Sequence, residues 1–334
     1  MGPHRPDADL QRGLAAWAAS RWPGEDNTIG ELKRPDSGWA NETILVTVGP
    51  RRLVVRLPQA MPLYPEYPLA AQAKVMAAVA RGGVPVPEVV ALELNDEWLG
   101  EPFLVMARVE GRPGPEAPVL DRDLAERAPA LQARMQHGMF DQLPAIHRID
   151  WESEGLEDFL LRGDLVAWSR YYIDWATDGR PPTALAEAID FCAQHEPAHR
   201  REVLCWGDVR LGNVLFDDEY RVTAVLDWEL ATIGPPESDL AWYLVLDDLL
   251  EAFTQRRVPG FDLEGPLVDR YEQAAGQPVE NLEWHKIFAL TRSVALSERL
   301  ALLAAETGLP YPGIAGDGNP VLHQLTKRIQ IFER

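Results

Sequence analysis

Three short runs of apolar residues, separated by polar turns, occupy the stretch between residues 203 and 227. The first run is Val203–Cys205, the second is Val214–Phe216, and the third covers residues 223–226. Apolar runs of this length, rich in β-branched residues, are typical of buried β-strands. The acidic cluster at 217–219 is typical of a solvated turn. The pattern therefore predicts a strand, a loop and then a two-stranded hairpin.

The first third of the chain shows a different mixture of patterns. Runs rich in valine, leucine and isoleucine predict strands, and a run of strong helix formers around residue 75 predicts a helix. Gly49, Pro50 and the segment at 110–115 are typical of breaks in regular structure. We predict strands at 32–48, 51–57, 84–94 and 102–109, and helices at 7–22 and 68–82.

Beyond residue 115 the apolar residues recur at helical intervals. A chain of 334 residues exceeds the usual size of a single core, so two lobes are expected. We predict an α+β fold: residues 1–109 form a small antiparallel sheet with one main helix, and residues 110–334 form a larger, mainly helical lobe. The predicted helices of the second lobe cover residues 124–139, 142–149, 165–176, 185–195, 240–253, 267–275, 284–304 and 321–332.

Composition narrows the class of protein. Hydrophobic residues make up 46% of the chain, but no apolar run is long enough to span a bilayer, and no signal peptide is expected. Two cysteines cannot form a disulfide framework and the histidines lack zinc-ligand spacing, so we expect a cytoplasmic protein without a zinc site. The net charge of −20 disfavours nucleic acid as a partner. It is compatible with a cationic substrate, although acidic surfaces more often serve solubility alone.

Three oxygen-bearing side chains lie next to the predicted strands: Asp208 follows the first, Asn213 precedes the second and Asp227 follows the third. The hairpin would place Asn213 at one foot and Asp227 at the other, with Asp208 on the loop before it. Amide and carboxylate oxygens suit Mg²⁺, and a carboxylate free of the metal can take the proton of a substrate hydroxyl. Protein kinases divide the work in this way, with one Asp as the base and with an Asn and a second Asp as metal ligands. Arg210 stands where kinases place a cation near the transferred phosphoryl group.

The longer string around these residues is more specific than their spacing. Residues 206–217, WGDVRLGNVLFD, followed by residues 225–234, VLDWELATIG, closely resemble the aminoglycoside-phosphotransferase-like kinase family. Within it, the string is most similar to the branch that includes the kinase-like domain fused to some acyl-CoA dehydrogenases. The resemblance implies a bilobal protein-kinase-like fold, ATP or alternatively GTP as phosphoryl donor, bound Mg²⁺, and a small-molecule hydroxyl as acceptor. The lack of a bilayer-spanning apolar run predicts no membrane partner, and a monomer or a homodimer remains open.

The resemblance also points to nucleotide contacts in the first lobe. The loop at 37–43 lies where kinase-like folds cover the phosphates, so Ser37, Trp39 and Asn41 are candidate contacts. Arg56 stands on the second predicted strand, where kinases carry a phosphate-binding lysine. Alternation along that strand places Arg56 on the face opposite its neighbour in sequence, Val55. Arginine differs from lysine here because its planar fork binds bidentately.

Further contacts are implied at the predicted hinge and in the helical lobe. In the family, backbone just before the hinge binds the nucleotide base, which makes candidates of Met106, Ala107 and Val109. The aromatic helix at 165–176 is typical of a core helix. Because the family places substrate contacts in this region, it also supplies candidates: Tyr171, Tyr172 and Asp174.

Two positions depart from the family pattern. Trp206 replaces a histidine that holds the catalytic loop to the metal-binding segment, and a tryptophan can pack there and donate one hydrogen bond. Gln72 replaces the glutamate that pairs with the strand cation, so a hydrogen bond from Gln72 or an ion pair with Glu66 remains open for Arg56. These departures keep a non-catalytic nucleotide-binding or scaffold protein as an alternative. For an active kinase, the acceptor class remains open between an aminoglycoside-type antibiotic and a metabolic hydroxyl compound of the hydroxyacyl type.

Two polar residues near these motifs are interpreted as structural. Asp239 begins a predicted helix, where an acidic residue caps free backbone amides. His147 ends another predicted helix, where we expect it to pack or to cap. Neither residue is therefore expected to contact the substrate.

Overall fold

The computed structural model describes residues 5–35, 41–59, 62–198, 201–308 and 315–334. Its N-terminal part is built on an antiparallel sheet and its C-terminal part is mainly helical, which confirms the predicted α+β class. The strands are β1 (Asn41–Val48), β2 (Arg51–Pro58), β3 (Val89–Glu93), β4 (Phe103–Ala107), β5 (Arg112–Pro113), β6 (Leu161–Arg162), β7 (Val203–Cys205), β8 (Val214–Phe216), β9 (Val222–Val225) and β10 (Thr232–Gly234).

The described residues contain eleven α-helices, of which two precede β3 and nine follow β5. Within the described residues, no helix is both long and apolar enough to cross a membrane. The helices are α1 (Asp7–Arg21), α2 (Leu69–Arg81), α3 (Arg122–Ala125), α4 (Pro129–Phe140), α5 (Leu143–His147), α6 (Leu165–Ala176), α7 (Thr183–Gln194), α8 (Glu237–Thr254), α9 (Glu264–Ala275), α10 (Leu282–Thr307) and α11 (Pro320–Phe332).

Prolines explain several places where an observed element is shorter than predicted. β3 begins only at Val89, because Pro85 and Pro87 lack the N–H that a strand ladder needs. The helix predicted at 124–139 is divided into α3 and α4, and Pro129 occupies the first position of α4, where its missing N–H costs nothing.

The N-terminal sheet has the strand order β1-β2-β4-β3, and its two faces pack against different cores. Leu53, Val55 and Leu57 of β2 point towards α1 and are at most 3% exposed. Val54 packs against the main core on the other face, with α2. Arg56 alternates with Val55 and therefore shares the face of Val54, as the sequence predicts. This face of β2 is the one that borders the C-terminal part.

Two small sheets position the loops of the C-terminal part. One has the order β5-β8-β9, and the other has the order β6-β10-β7. β10 pairs with β6 in parallel and with β7 in the antiparallel sense. Strands β7, β8 and β9 lie at the three apolar runs between residues 203 and 226 and confirm the strands predicted there. The sequence does not predict β5, β6 and β10, because none of them contains a run of three apolar residues.

Candidate active site

The catalytic-loop candidates follow β7 and flank the β8–β9 hairpin. β7 ends at Cys205, and Asp208 lies on the loop that follows. Asn213 directly precedes β8, and its carbonyl oxygen accepts a hydrogen bond from the backbone N–H of Leu226 at 2.8 Å. Asp227 is the next residue after Leu226. The hairpin therefore brings Asn213 and Asp227 to its two feet, as expected from the sequence.

Three side chains hold the carboxylate of Asp208. Oδ1 accepts a hydrogen bond from the indole Nε1 of Trp242 at 2.9 Å. Oδ2 accepts one from Nδ2 of Asn213 at 2.7 Å and one from Nε of Arg210 at 2.9 Å. The side chain is 16% exposed. The three donors stabilise its negative charge and fix its orientation. The sequence identified Asn213 and Arg210 near this group but gave no signal for Trp242.

Arg210 links the catalytic loop to the segment that follows β5. Its guanidinium also pairs with Glu116. Burial alone lowers the pKa of Arg210, but the negative charges of Asp208 and Glu116 raise it overall. A permanent positive charge therefore lies beside Asp208, as the sequence pattern indicates.

Asp227 joins the hairpin to the N-terminal sheet. Its backbone φ of 60° lies in the left-handed region, which a residue other than glycine adopts at an energetic cost and which is typical of functional sites. Nη2 of Arg56, on β2, lies 2.8 Å from Oδ1 of Asp227 and 3.7 Å from Oε2 of Glu229. Burial lowers the pKa of Arg56, and the charges of Asp227 and Glu229 help to raise it overall. Arg56 therefore lies at the interface between the sheet and the hairpin.

Glu229 is a site residue that the sequence analysis missed. Its Oε2 accepts a hydrogen bond from Nδ2 of Asn41 at 2.6 Å. Burial and then the charge of Asp227 raise the pKa of Glu229 to about 8, against the opposing effects of Arg56 and Asn41. The available signal was its position two residues after Asp227, which places a second carboxylate beside the first.

The loop predicted to cover the phosphates is described only at its C-terminal end. Asn41 is the first residue of β1 and is 5% exposed. Its backbone oxygen accepts a hydrogen bond from Nε2 of Gln59 at 3.0 Å. Ser37 and Trp39 lie outside the described residues. Asn41 thus contacts Glu229 through its side chain, and its role towards a nucleotide stays a prediction.

Arg56 finds its partners in the hairpin. Gln72 lies on α2 and is buried, and among the described residues neither atom of its side-chain amide has a hydrogen-bond partner. Glu66 is exposed and lies near the start of α2. The two partners considered for Arg56, Gln72 and Glu66, therefore do not hold it in this structure. Two carboxylates near the end of the hairpin form ion pairs with Arg56. The sequence pattern does not reveal this pairing.

The three candidates at the predicted hinge differ in whether their backbone N–H already has a partner among the described residues. The N–H of Ala107 donates to Glu88 at 2.8 Å, and the N–H of Arg108 donates to Arg52 at 2.9 Å. Met106 lies inside β4, paired on both sides. In the described part of the chain, the N–H of Val109 has no such partner. Of the three candidates, Val109 therefore has the N–H that is available to a ligand.

Trp206 connects the catalytic loop to the hairpin. Its indole Nε1 donates to the carbonyl oxygens of Leu226, at 2.8 Å, and of Asp227, at 3.2 Å. The side chain is fully buried. The expected packing and hydrogen bonding at this departure from the family pattern are therefore present, and the loop remains tied to the segment that carries Asp227.

Asp239 supports the same loop from α8. Its carboxylate accepts hydrogen bonds from the backbone N–H of Trp206 at 2.7 Å and of Gly207 at 2.8 Å. His147 lies 3.0 Å from Asp239 and 2.7 Å from the hydroxyl of Tyr271. Asp239 is structural, as interpreted, but it binds the amides of the catalytic loop instead of capping its own helix. His147 belongs to this buried network.

Gly207 is required by the same arrangement. Its φ is 90°, and a Cβ at this position would lie 2.0 Å from the carbonyl oxygen of Leu230. A side chain therefore cannot be accommodated without moving the backbone. The glycine lets the loop turn sharply just before Asp208.

The donor atoms at the feet of the hairpin fit a magnesium ion. Asn213 directs its Nδ2 to Asp208, which leaves its Oδ1 as the atom able to bind a cation. Asp227 uses Oδ1 for Arg56, and its second oxygen is available. Hard oxygen ligands of this kind, one amide and one carboxylate, are those that Mg²⁺ takes when phosphates and water complete its shell.

A cleft lies beside this site, with Gly207 and Glu229 in its wall. It is bordered by residues 64–68, by α6 and α10, and by the segment after β9. Of the aromatic helix α6, Trp168 faces the cleft, whereas Tyr171 is 52% exposed and Tyr172 is buried. Asp174 is exposed as well. The three candidates chosen from this helix therefore do not line the cleft.

Sequence comparison identifies relatives over most of the chain. A model of the phosphotransferase enzyme family matches residues 31–288. The chain is 29% identical over 286 residues to acyl-CoA dehydrogenase family member 10 of Mus musculus, across 80% of this chain. The match covers 26% of the mouse protein, so this chain spans about a quarter of the length of that relative.

Solved structures show the same fold at low sequence identity. A provisionally named aminoglycoside phosphotransferase from Ralstonia eutropha superimposes with a TM-score of 0.69 and 22% identity, covering 96% of this chain and 94% of that one. A thermostable D198A mutant of aminoglycoside phosphotransferase APH(4)-Ia, in a ternary complex with ADP and hygromycin B, gives a TM-score of 0.62 at 16% identity. The alignment covers 95% of this chain and 98% of that one. These likenesses confirm the predicted bilobal, protein-kinase-like fold.

Proposed function

Because this chain belongs to the phosphotransferase enzyme family, we propose that it transfers the γ-phosphoryl group of ATP to a hydroxyl group of a small molecule. The observation that carries the proposal is the joint placement of Asp208, Asn213 and Asp227 around the β8–β9 hairpin. Two direct contacts support it: Asn213 donates to Asp208 at 2.7 Å, and Arg56 reaches Asp227 from the N-terminal sheet at 2.8 Å. The complexes of the APH(4)-Ia relative with ADP and hygromycin B are consistent with it.

Asp208 is the proposed base. The acceptor hydroxyl gives its proton to the carboxylate while its oxygen forms a bond to the γ-phosphorus, and the bond to the β–γ bridging oxygen breaks. ADP is the leaving group. The fixed donors on Asp208 orient the carboxylate before the acceptor arrives, which favours a productive geometry. Arg56 and Arg210 would bind phosphate oxygens through the guanidinium N–H groups that their carboxylate partners leave free.

Asn213 and Asp227 would hold the magnesium ion through side-chain oxygens. When bound there, the ion neutralises charge on the β- and γ-phosphates. Glu229 lies next to Asp227 and adds a further carboxylate oxygen to the same region. The N–H of Val109 would bind the nucleotide base, next to the proposed boundary between the lobes at residues 109 and 110.

A phosphoryl-transfer assay tests the proposal. The γ-phosphate of labelled ATP is followed into kanamycin, 1,6-hexanediol and 6-hydroxyhexanoate, with and without Mg²⁺. Transfer that requires Mg²⁺ is expected for at least one acceptor, and Asp208→Asn should lower turnover about 10²- to 10⁴-fold while Mg–ATP still binds. The control is Asp218→Asn, at the exposed turn of the same hairpin. It should change neither the turnover nor the binding of Mg–ATP. Equal turnover of Asp208→Asn and the parent would exclude Asp208 as the base.

A further inference from the structure

The segment just after the predicted hinge lies directly on the catalytic loop and the hairpin. β5 pairs with β8, and the backbone N–H of Gly114 donates to the carbonyl oxygen of Val214 at 3.0 Å. A Cβ on Gly114 would lie 2.5 Å from the carbonyl oxygen of Leu211, so the two backbones are in contact with no side chain between them. Glu116 follows two residues later. Its place in the chain is therefore fixed against the loop that carries Asp208.

Glu116 and Asp208 hold the guanidinium of Arg210 through two different nitrogen atoms. Nε of Arg210 donates to Oδ2 of Asp208 at 2.9 Å, and Nη1 donates to Oε2 of Glu116. Among the described residues, Nη2 of Arg210 forms no hydrogen bond. The planar guanidinium is therefore fixed both in position and in orientation, and the N–H groups of Nη2 are left for another anion.

Gly212, two residues after Arg210, leaves room for the carboxylate of Glu116. A Cβ at residue 212 would lie 2.4 Å from Oε1 and 3.0 Å from Oε2 of Glu116. Gly212 is not among the glycines with a positive φ, so the shape of its backbone does not require glycine. The space that the carboxylate occupies explains this glycine, and the contact is an observation independent of the ion pair.

The ion pair between Glu116 and Arg210 adds little to the stability of the fold. The side chain of Glu116 is 59% exposed and that of Arg210 is 31% exposed. Pairs at such exposure contribute little to the free energy of unfolding, because water already solvates both charges. The placement of Glu116 is therefore better explained by its effect on the orientation of Arg210.

Without Glu116, the guanidinium of Arg210 would be drawn towards Asp208 alone. A guanidinium pairs most strongly with a carboxylate through two parallel hydrogen bonds, and Nε and Nη2 together can form them. That arrangement would occupy Nη2 with the carboxylate of Asp208. Fewer donors would then remain for a phosphoryl group that approaches the acceptor hydroxyl beside Asp208.

We propose that Glu116 is a positioning residue for phosphoryl transfer, and that it holds Arg210 so that Nη2 donates to the γ-phosphoryl group in the transition state. The inference rests on the proposed function, because it assigns Arg210 a partner in that reaction. A donor fixed in advance stabilises the transition state without reorganisation. Arg210 lies beside the proposed base, so the phosphoryl group moves towards it during transfer. The effect of Glu116 therefore falls on the transition state more than on the bound nucleotide.

A transition-state analogue tests this role without an identified acceptor. The full chain is titrated calorimetrically with Mg–ADP and aluminium fluoride, which takes the place of the phosphoryl group in transfer, and with Mg²⁺ and a non-hydrolysable ATP analogue. Glu116→Gln should weaken binding of the aluminium fluoride complex about tenfold or more and change that of the ATP analogue less than about twofold. Glu116→Asp keeps the charge and should recover part of the loss. Equal losses for both ligands, or no loss for either, would overturn the inference.

A double-mutant cycle shows whether Glu116 acts through Arg210. In the Arg210→Gln background, Glu116→Gln should cause no further loss of affinity for the aluminium fluoride complex. A loss of the same size in that background would contradict the assignment. The matched control is Glu110→Gln: Glu110 is an exposed glutamate of the same segment that pairs with Arg52, so both affinities should persist. Melting temperatures show that each variant is folded.

Turnover separates the two proposals. Phosphoryl transfer from ATP with the same kcat in Glu116→Gln and the parent would overturn the inference and leave the proposed kinase function intact. Binding of the aluminium fluoride complex that depends on Glu116, without phosphoryl transfer from ATP to any acceptor or to water, would support the positioning of Arg210 and count against the kinase function.

Discussion

The indole Nε1 of Trp242 donates a hydrogen bond to Oδ1 of Asp208 over 2.9 Å, although the two residues are 34 positions apart in the sequence. Trp242 belongs to α8 and is only 4% exposed. A residue of the helical core therefore fixes the orientation of the proposed catalytic carboxylate. The same carboxylate is held on its other oxygen by Asn213 and Arg210.

Replacing Trp242 by phenylalanine should lower kcat about tenfold, because one hydrogen bond that orients Asp208 is lost. The KM for Mg–ATP should stay the same, since the hydrogen bond of Trp242 goes to Asp208 and not to the proposed phosphate contacts, Arg56 and Arg210. Trp284→Phe is the control: Nε1 of Trp284 donates to the carbonyl oxygen of Cys192, away from the site. Steady-state kinetics decide the question, and equal losses of kcat in the two variants would show that Trp242 acts only through stability.

Trp206→Phe should weaken the binding of Mg–ATP and lower the melting temperature. The substitution leaves the carbonyl oxygens of Leu226 and Asp227 without their indole donor, at a cost of about 1–3 kcal/mol. Trp206→His restores a ring N–H at this position and should recover part of the nucleotide affinity. Calorimetric titration with Mg–ATP is the measurement. Identical affinities of the phenylalanine variant and the parent would refute the role assigned to this hydrogen bond.

Arg56→Gln should raise the Kd of Mg–ATP by about tenfold or more, because a charge-assisted contact to phosphate oxygens is removed. The Kd of Mg–ATP for Arg56→Lys should lie between the values for Arg56→Gln and the parent, since lysine keeps the charge but lacks the planar fork. Arg52→Gln is the matched control on the same strand, where the side chain is exposed and pairs with Glu110. Calorimetric titration of the three variants and the parent with Mg–ATP measures these Kd values. An unaltered Kd for Arg56→Gln would show that Arg56 does not bind the phosphates.

Asp239→Ala should destabilise the fold by about 3–5 kcal/mol, because it leaves two buried amides of the catalytic loop and the side chain of His147 without their acceptor. Chemical denaturation provides the measurement. Asp262→Ala is the control, since Asp262 pairs with His137 at a site that is 39% exposed, and its loss should cost about 1 kcal/mol or less. Similar costs for the two substitutions would contradict the supporting role of Asp239.

Much of the site follows from local sequence because its main residues are set by one strand–loop–hairpin unit. Asp208, Asn213 and Asp227 lie next to strand ends, so the positions of the apolar runs already predict where these residues lie in the fold. The face of β2 that carries Arg56 follows from strand alternation in the same way. These features depend on neighbours along the chain.

The remaining contacts depend on how distant segments pack. Trp242 belongs to the apolar pattern of α8. Nothing in the neighbouring sequence indicates that its indole donates a hydrogen bond to the active site. Glu229 was visible in the motif, but its burial beside Asp227 was not. Sequence alone therefore predicts the central chemistry better than the groups that orient it.

The most direct test of the account is a crystal structure of the protein with Mg²⁺ and a non-hydrolysable ATP analogue. We predict a magnesium ion bound by Oδ1 of Asn213 and by a carboxylate oxygen of Asp227, at about 2.1 Å from each. Asp208 should remain outside the coordination shell, facing the side of the γ-phosphate where an acceptor enters. An ion bound elsewhere, or Asp208 among its ligands, would contradict the central claim.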